Sequence, residues 1–220
     1  MLRNLFQVML KVNEIFYSIQ GESTWAGCPC VFVRLTGCNL RCSWCDTTYS
    51  YDEGKLMSVE EILREVESYS CDLVEITGGE PLLQQETSAL AEALFKQKKT
   101  VLIETNGSQD INAVNPEWCI RIVDLKGPSS GCENEINWEN LGNLSSRDEI
   151  KFVIADRNDY EWAREVLQKH GLAGRQKVLF SPVADQISPA QLAQWILDDR
   201  LAVRFQLQLH KIVWQDERGR

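Results

Sequence analysis

The 220-residue chain has little histidine, only His170 and His210. It has no internal repeat, low-complexity tract or clear linker, and no apolar run approaches the ~18 residues of a membrane span. Basic residues are outnumbered, 23 against 32 acidic, for a net charge of −9. Each shortage excludes something. Two distant histidines do not make a histidine-rich metal site. A net negative chain argues against a nucleic-acid or anionic-membrane partner, though a local basic pocket stays open. Residues 1–10, MLRNLFQVML, lead into Lys11–Glu14 rather than a small-residue cleavage site, so neither a signal peptide nor a membrane anchor is expected. What remains is ordinary globular composition, 44% apolar and 25% charged, most simply one domain over 1–220 with 1–10 as an extension.

Cysteine is present in number but unevenly placed. Five of the eight fall between Cys28 and Cys45, while Cys71, Cys119 and Cys132 are scattered. That is not the framework of a disulfide-stapled secreted scaffold, so a reducing, cytoplasmic setting is expected. The scattered three read as small hydrophobes. Within Gly37–Tyr49, GCNLRCSWCDTTY, the thiols of Cys38, Cys42 and Cys45 are spaced C-x3-C-x2-C. Three thiolates on one loop can converge on one metal centre. A cubane cluster ordinarily takes four cysteines, so three would leave one iron open to another ligand. The alternative is a structural zinc site completed by Cys28 and Cys30, although C-x-C is an unusual zinc pair. The spacing, followed by Asp46 and Thr47, resembles the radical S-adenosylmethionine (SAM) superfamily. That resemblance implies a [4Fe-4S] cluster whose open iron is chelated by SAM, and cleavage of SAM to a 5′-deoxyadenosyl radical.

Strands and helices alternate along the chain. Strands are predicted at Lys11–Ile19, Val31–Leu35, Leu73–Thr77, Thr100–Glu104, Ile120–Leu125, Glu149–Ile154, Lys177–Phe180 and Ala202–Leu207. Ser58 and Glu61 form a capping box that opens a helix to about Tyr69. Further helices are predicted over about Gln85–Lys98, over Tyr160–His170 ending at Gly171, and from Ser188-Pro189 to about Leu197. Residues 129–146 read as a polar loop with a short helix around Trp138–Leu141. The pattern predicts an α/β fold of parallel units, close to six, an incomplete (β/α) barrel. In such folds sites gather where strands end. The cysteine loop, Gly78-Gly79-Glu80-Pro81, Glu104-Thr105-Asn106-Gly107 and Asp124-Leu125-Lys126 all share that address, as does the weaker Ser181-Pro182.

Read singly, each of these has a plain alternative. Gly-Gly-Glu-Pro passes for a turn, but its glycines let a ligand approach the backbone and Glu80 can pair with an ammonium. It resembles the GGE motif that binds the SAM amino group. Glu104 and Asn106 suit ribose hydroxyls, or an ordinary Asn-Gly turn. Asp124 and Lys126 suit cofactor contacts, or a buried ion pair. Arg34 shares a strand face with Phe32, opposite Val31, Val33 and Leu35. Pointing inward it needs a partner, for which a substrate carboxylate held bidentately is suited; pointing outward it is merely solvated.

Together, Ser18–Glu22, Val33–Leu40, Trp44–Thr47 and Thr77–Pro81, with Gln208–Lys211 near the end, resemble the 7-carboxy-7-deazaguanine synthase family, over about Val12 to Trp214. The resemblance implies conversion of 6-carboxy-5,6,7,8-tetrahydropterin to 7-carboxy-7-deazaguanine on the route to queuosine. It implies a homodimer that uses SAM catalytically, requires magnesium and takes electrons from a flavodoxin- or ferredoxin-type reductant. It gives Ile19, Gln20, Gly21, Glu22, Arg34, Thr77 and His210 to the pterin, with Glu22 and Arg34 fixing it for reaction. Thr47 goes to magnesium, and Trp44, Asp46, Gly78 and Gly79 line SAM. Ser23 departs from the family's usual glycine, and Arg220 stands where some members have a substrate-contacting proline. Two rivals carry less of the pattern. A radical SAM activating enzyme for a glycyl-radical partner lacks Gln-Gly-Glu ahead of Arg34, and a zinc-stapled binding module would be colourless.

Overall fold

The computed structural model describes residues 8–215 and 217–220. Strands β1 (Met9–Ile19) and β2 (Pro29–Leu35) pair antiparallel, from Val12 opposite Leu35 to Ile19 opposite Pro29. A short strand, β3 (Lys55–Ser58), pairs antiparallel on the far side of β1. From β2 onward the strands run parallel: β4 (Leu73–Gly78), β5 (Thr100–Thr105), β6 (Ile120–Leu125), β7 (Glu149–Ile154), β8 (Lys177–Pro182) and β9 (Arg204–Phe205). The order β3-β1-β2-β4-β5-β6-β7-β8-β9 is an open nine-stranded sheet, the expected incomplete barrel.

Helix α1 (Val59–Ser68) carries the expected capping box: Glu61 N donates to Ser58 Oγ at 3.2 Å, and Ser58 N donates to Glu61 Oε2 at 2.7 Å. It buries Val59, Ile62, Leu63 and Val66, each worth about 2 kcal/mol of apolar burial. Helix α2 (Thr87–Lys96) covers the next crossover. Helix α3 (Arg157–His170) starts on Asp156, whose side chain accepts from Asp159 N, and stops at Gly171 in the left-handed conformation. Helix α4 (Pro189–Asp198) has the expected Ser188 cap and proline in its first turn, and α5 (Leu209–Trp214) follows β9.

Several local expectations need correction. The first strand begins at Met9, with Leu10 fully buried, so the end of the expected extension 1–10 is sheet; residues 1–7 lie outside those described. That strand pairs antiparallel, not as part of a parallel unit. The crossover β5 to β6 carries only a 3-10 turn, Ile111–Ala113, and β6 to β7 carries Pro128–Ser130, Glu133–Glu135 and Trp138–Gly142, the last being the short helix expected in the polar 129–146 loop. Their polar, Gly- and Asn-rich sequence lacks the apolar stripe a longer helix would bury. The last strand shrinks from Ala202–Leu207 to two residues. Gln206 is diverted to the turn after β1, accepting from Ser23 N at 2.9 Å and donating to Ser23 O at 2.7 Å.

The parallel strands are largely apolar, yet five of them bring a charged side chain to one place: Arg34, Glu75, Glu104, Asp124 and Lys151. All five line one cavity.

Candidate active site

The cavity is about 460 Å³ and opens where the parallel strands end. At one end lies the cysteine loop. Gly37 N donates to Ser50 O at 2.9 Å, and Glu80 N donates to Gly37 O at 2.7 Å. Ser43 is held to the turn after β6 through Ser43 N to Ser130 O at 3.1 Å and Ser43 Oγ to Ser129 O at 2.7 Å. Gly79 packs so tightly here that a Cβ would stand 2.7 Å from Cys38 Cβ and overlap Gly37 O. The Gly-Gly turn is therefore the bed on which the cysteine loop rests.

Cys38, Cys42 and Cys45 all line the cavity as free thiols. Burial pushes the Cys38 thiol up and the Cys42 thiol up to about 12, so metal must displace their protons on binding. The Leu40 amide donates to Cys38 Sγ at 3.4 Å, and Asn106 Nδ2 lies 3.8 Å from it, the donors that tune a cluster sulfur. Among the described residues no three His, Cys, Asp or Glu side chains converge on one ion. A zinc staple needs its ligands on one ion, whereas in a cubane cluster each thiolate binds its own iron. Cys28 and Cys30 cannot complete a shared site. They sit around the start of β2, and the loop follows its end, about 20 Å along a strand of this length.

Gly78, Gly79, Asn106, Asp124, Lys126, Trp44 and Asp46, which the resemblance gives to SAM, line the same cavity. Lys126 lies 4.8 Å from the Trp44 ring centroid and pairs with Asp124 Oδ2 at 2.9 Å. Burial would lower its ammonium, but Asp124 holds it above its ordinary value. Asp124 Oδ1 is buried with no hydrogen-bond partner among the described residues, an acceptor that a ligand hydroxyl would satisfy. Asp46 pairs with Lys211 at 3.3 Å.

Glu80 departs from expectation. Its side chain is fully buried and is not part of the cavity wall. It accepts from Leu82 N at 2.9 Å, Asn106 N at 2.7 Å and Thr105 Oγ1 at 2.9 Å. Burial pushes its carboxyl up to about 7, against the pull of those donors. Glu80 thus ties the turn after β4 to the turn after β5, and an ammonium would meet the Gly78–Gly79 backbone instead.

At the other end, Gln20 donates to the buried Glu75 and accepts from Glu22 N at 2.8 Å. Ile19, Gly21 and Thr77 complete this wall. Gly21 has no room for a side chain, since a Cβ would overlap the His210 ring; Leu209 N donates to Gly21 O at 3.0 Å. Glu22 pairs with Lys151 at 2.6 Å and accepts from Gln208 Nε2 at 2.9 Å. Burial alone would raise its carboxyl, but Lys151 and then His210 outweigh it and hold it at about 2.

Arg34 points inward and has a protein partner: Nε donates to Glu14 Oε1 at 2.8 Å. Its guanidinium lies 5.6 Å from the Phe16 ring centroid and 5.8 Å from that of Tyr49. Its terminal nitrogens make no hydrogen bond among the described residues, which leaves a fork for a carboxylate. Thr47 lines the cavity with Oγ1 3.8 Å from Cys45 Sγ, and its hydroxyl makes no capping bond to the following turn. A hydroxyl lining the cavity is a hard oxygen donor that suits magnesium, which keeps few protein ligands beside water and substrate oxygens.

Sequence reasoning missed Lys151, Glu75 and Glu14, and it named Gln208 only as part of the C-terminal resemblance, without a role. Lys151 and Glu75 had a signal, a charge inside a buried strand. Glu14 had none, because its partner is remote in sequence.

The pattern of the radical SAM superfamily matches residues 32–183. The chain is 46% identical to a 7-carboxy-7-deazaguanine synthase of Chlorobaculum tepidum, over 96% of this chain and 97% of that one. It is equally 46% identical to a 7-carboxy-7-deazaguanine synthase of Koribacter versatilis, over 94% and 98%. Among solved structures it resembles QueE from Escherichia coli, with a TM-score of 0.79 and 23% identity over 96% of this chain and all of that one, a likeness of fold. On the strength of these relatives, the chain belongs to the 7-carboxy-7-deazaguanine synthase family within the radical SAM superfamily.

Proposed function

We propose that this enzyme contracts 6-carboxy-5,6,7,8-tetrahydropterin to 7-carboxy-7-deazaguanine, releasing ammonia, in the route to queuosine. The observation that carries the reading is that one cavity is lined both by the three-cysteine loop and by Glu22, Arg34 and His210. Product and ammonia together account for every atom of the substrate, so no net oxidant is needed.

When bound, the cluster and SAM supply a 5′-deoxyadenosyl radical that exchanges a hydrogen atom with carbon 6 of the pterin. Everything else falls to the chain's own residues. Arg34, oriented by Glu14, offers its fork to the substrate carboxylate. Glu22 accepts from ring N–H groups. Thr77 and His210 line the same wall, and Gly21 lets His210 approach. Thr47 would hold magnesium through its hydroxyl, and the ion would supply a positive charge for substrate oxygens. Asp124 Oδ1 and the backbone at Gly78–Gly79 receive SAM. A radical is unselective, so position decides which hydrogen it takes, and fixed bidentate contacts supply position.

The same reading makes residues 1–220 one catalytic domain. It places the protein in the cytoplasm as a homodimer reduced by a flavodoxin- or ferredoxin-type protein. Anaerobic incubation with SAM, dithionite, magnesium and the pterin tests it, with mass analysis of the products. The expected result is a product lighter than substrate by one ammonia; return of unchanged pterin from fully clustered enzyme contradicts it.

A further inference from the structure

We propose that Lys151 is a positioning residue for this reaction, a buried ammonium that fixes Glu22 and Glu104 as an acceptor pair for the N–H edge of the pterin. The inference rests on the pterin reading above and adds to it a residue and a recognition element.

Lys151 lies mid-strand in β7 with its side chain 4% exposed. Its Nζ reaches three carboxylates from three different segments: Glu22 at 2.6 Å from the turn after β1, Asp124 at 3.2 Å from β6, and Glu104 from β5 in closer contact still. An ammonium has three N–H bonds and no acceptor. Lys151 donates to Glu22 and Glu104 and pairs with Asp124, so its ammonium is spent on the protein's own carboxylates. Its part is to hold other groups, not to bind substrate.

What it leaves open on those groups is informative. Glu22 uses Oε2 on Lys151 and accepts from Gln208 through Oε1, which keeps a second lone pair. Glu104 gives Oε1 to Lys151, and its Oε2 makes no hydrogen bond among the described residues. Both residues line the cavity. Two acceptors held on one ammonium match a reduced pterin, whose amino-pyrimidinone edge presents adjacent N–H donors and no cation. Charge-assisted bonds of this kind are about twice as strong as neutral ones.

Two carboxylates this close need a cation between them. Two carboxylates sharing a site push one another's protonation up. Other charged groups crowd them: Glu75 from β4, Asp124 from β6, Arg34 from β2 and His210 from α5. Glu75 shows the result where neutralisation is incomplete, since burial and then Glu104 drive its carboxyl well above the ordinary range. Arg34 is committed to Glu14, and Lys126 to Asp124. Lys151 is the cation in hydrogen-bond contact with both members of the pair.

The test is the pH profile of kcat/KM for the pterin, with cluster content and SAM cleavage without pterin as controls. The variants are Lys151→Met, Lys151→Arg and Glu104→Gln. Wild type is expected to show no acid limb from Glu22, whose carboxyl is held at about 2. Lys151→Met is expected to gain an acid limb above about pH 5 and to raise KM for the pterin about 100-fold, since loss of a buried partner moves a carboxyl by several units. KM for SAM should stay within a few-fold. Lys151→Arg should keep the wild-type profile, because the charge remains. Glu104→Gln should raise KM for the pterin with Lys151 in place, which covers the case of a Met variant that does not fold. Should Lys151→Met fold, bind its cluster and keep the wild-type KM and profile, the assignment falls while the pterin reading stands. An unchanged KM in Glu104→Gln, or an acid limb in Lys151→Arg, overturns it equally. No product from wild type overturns both.

Discussion

The two ends of the cavity are built differently. The cluster end is held by backbone. Main-chain amides and carbonyls at Gly37, Ser43 and Glu80 fix the loop, and Gly79 gives it a bed with no space to spare. The substrate end is held by charge: Arg34 on Glu14, and Lys151 on Glu22, Glu104 and Asp124. Backbone packing tolerates any side chain that fits and fails abruptly when one does not. A charge network fails in degrees, through pH and through which partner is lost.

The sharpest way to break the cluster end is to remove a ligand. Cys42→Ser should abolish SAM cleavage and retain little iron, while Cys71→Ser and Cys119→Ser, away from the cavity, should keep both. Iron content and 5′-deoxyadenosine formation check this.

At the substrate end the loss should be graded. Arg34→Lys keeps the charge but loses the planar fork, so kcat/KM for the pterin should fall about 100-fold. Iron content should be unchanged. A variant that also lost its cluster would erase the distinction between the two ends.

This difference also decides what could be read in advance. The cluster end is written in contiguous runs, Cys38–Cys45 and Gly78–Pro81, because a loop that binds through its own backbone must bring its residues together in sequence. The capping box of α1 and the parallel strands were legible for the same reason of locality. The substrate end takes one residue from each of several strands. Arg34, Glu104 and Asp124 were found because motifs lay beside them; Lys151 and Glu75 lay in plain apolar strands. Glu14 was invisible because its partner is 20 residues away across an antiparallel pair. Glu80 was misplaced because a motif says which residue is needed, not which way it faces.

Smaller perturbations refine the comparison. Gly79→Ala puts a methyl group against Cys38 and should cost about 1–3 kcal/mol of stability through overpacking, with partial loss of cluster. Thermal unfolding and iron content should move together. Ser23 sits at φ 61, left-handed backbone that glycine takes without strain. The cost of roughly 1–2 kcal/mol for a side chain there is offset by Ser23 Oγ accepting from Trp25 N at 3.1 Å. Ser23→Gly should therefore change stability by less than about 1 kcal/mol, in the stabilising direction, without altering SAM cleavage.

The most direct measurement follows one hydrogen across the cavity. Pterin labelled with deuterium at carbon 6 is incubated anaerobically with reduced enzyme and SAM, and 5′-deoxyadenosine, SAM and product are analysed by mass. If the charge-built end holds the pterin so that carbon 6 faces the backbone-built end, label appears in 5′-deoxyadenosine and in SAM, and product accumulates beyond the SAM consumed. Label that stays in the pterin, with SAM cleaved all the same, would contradict that placement.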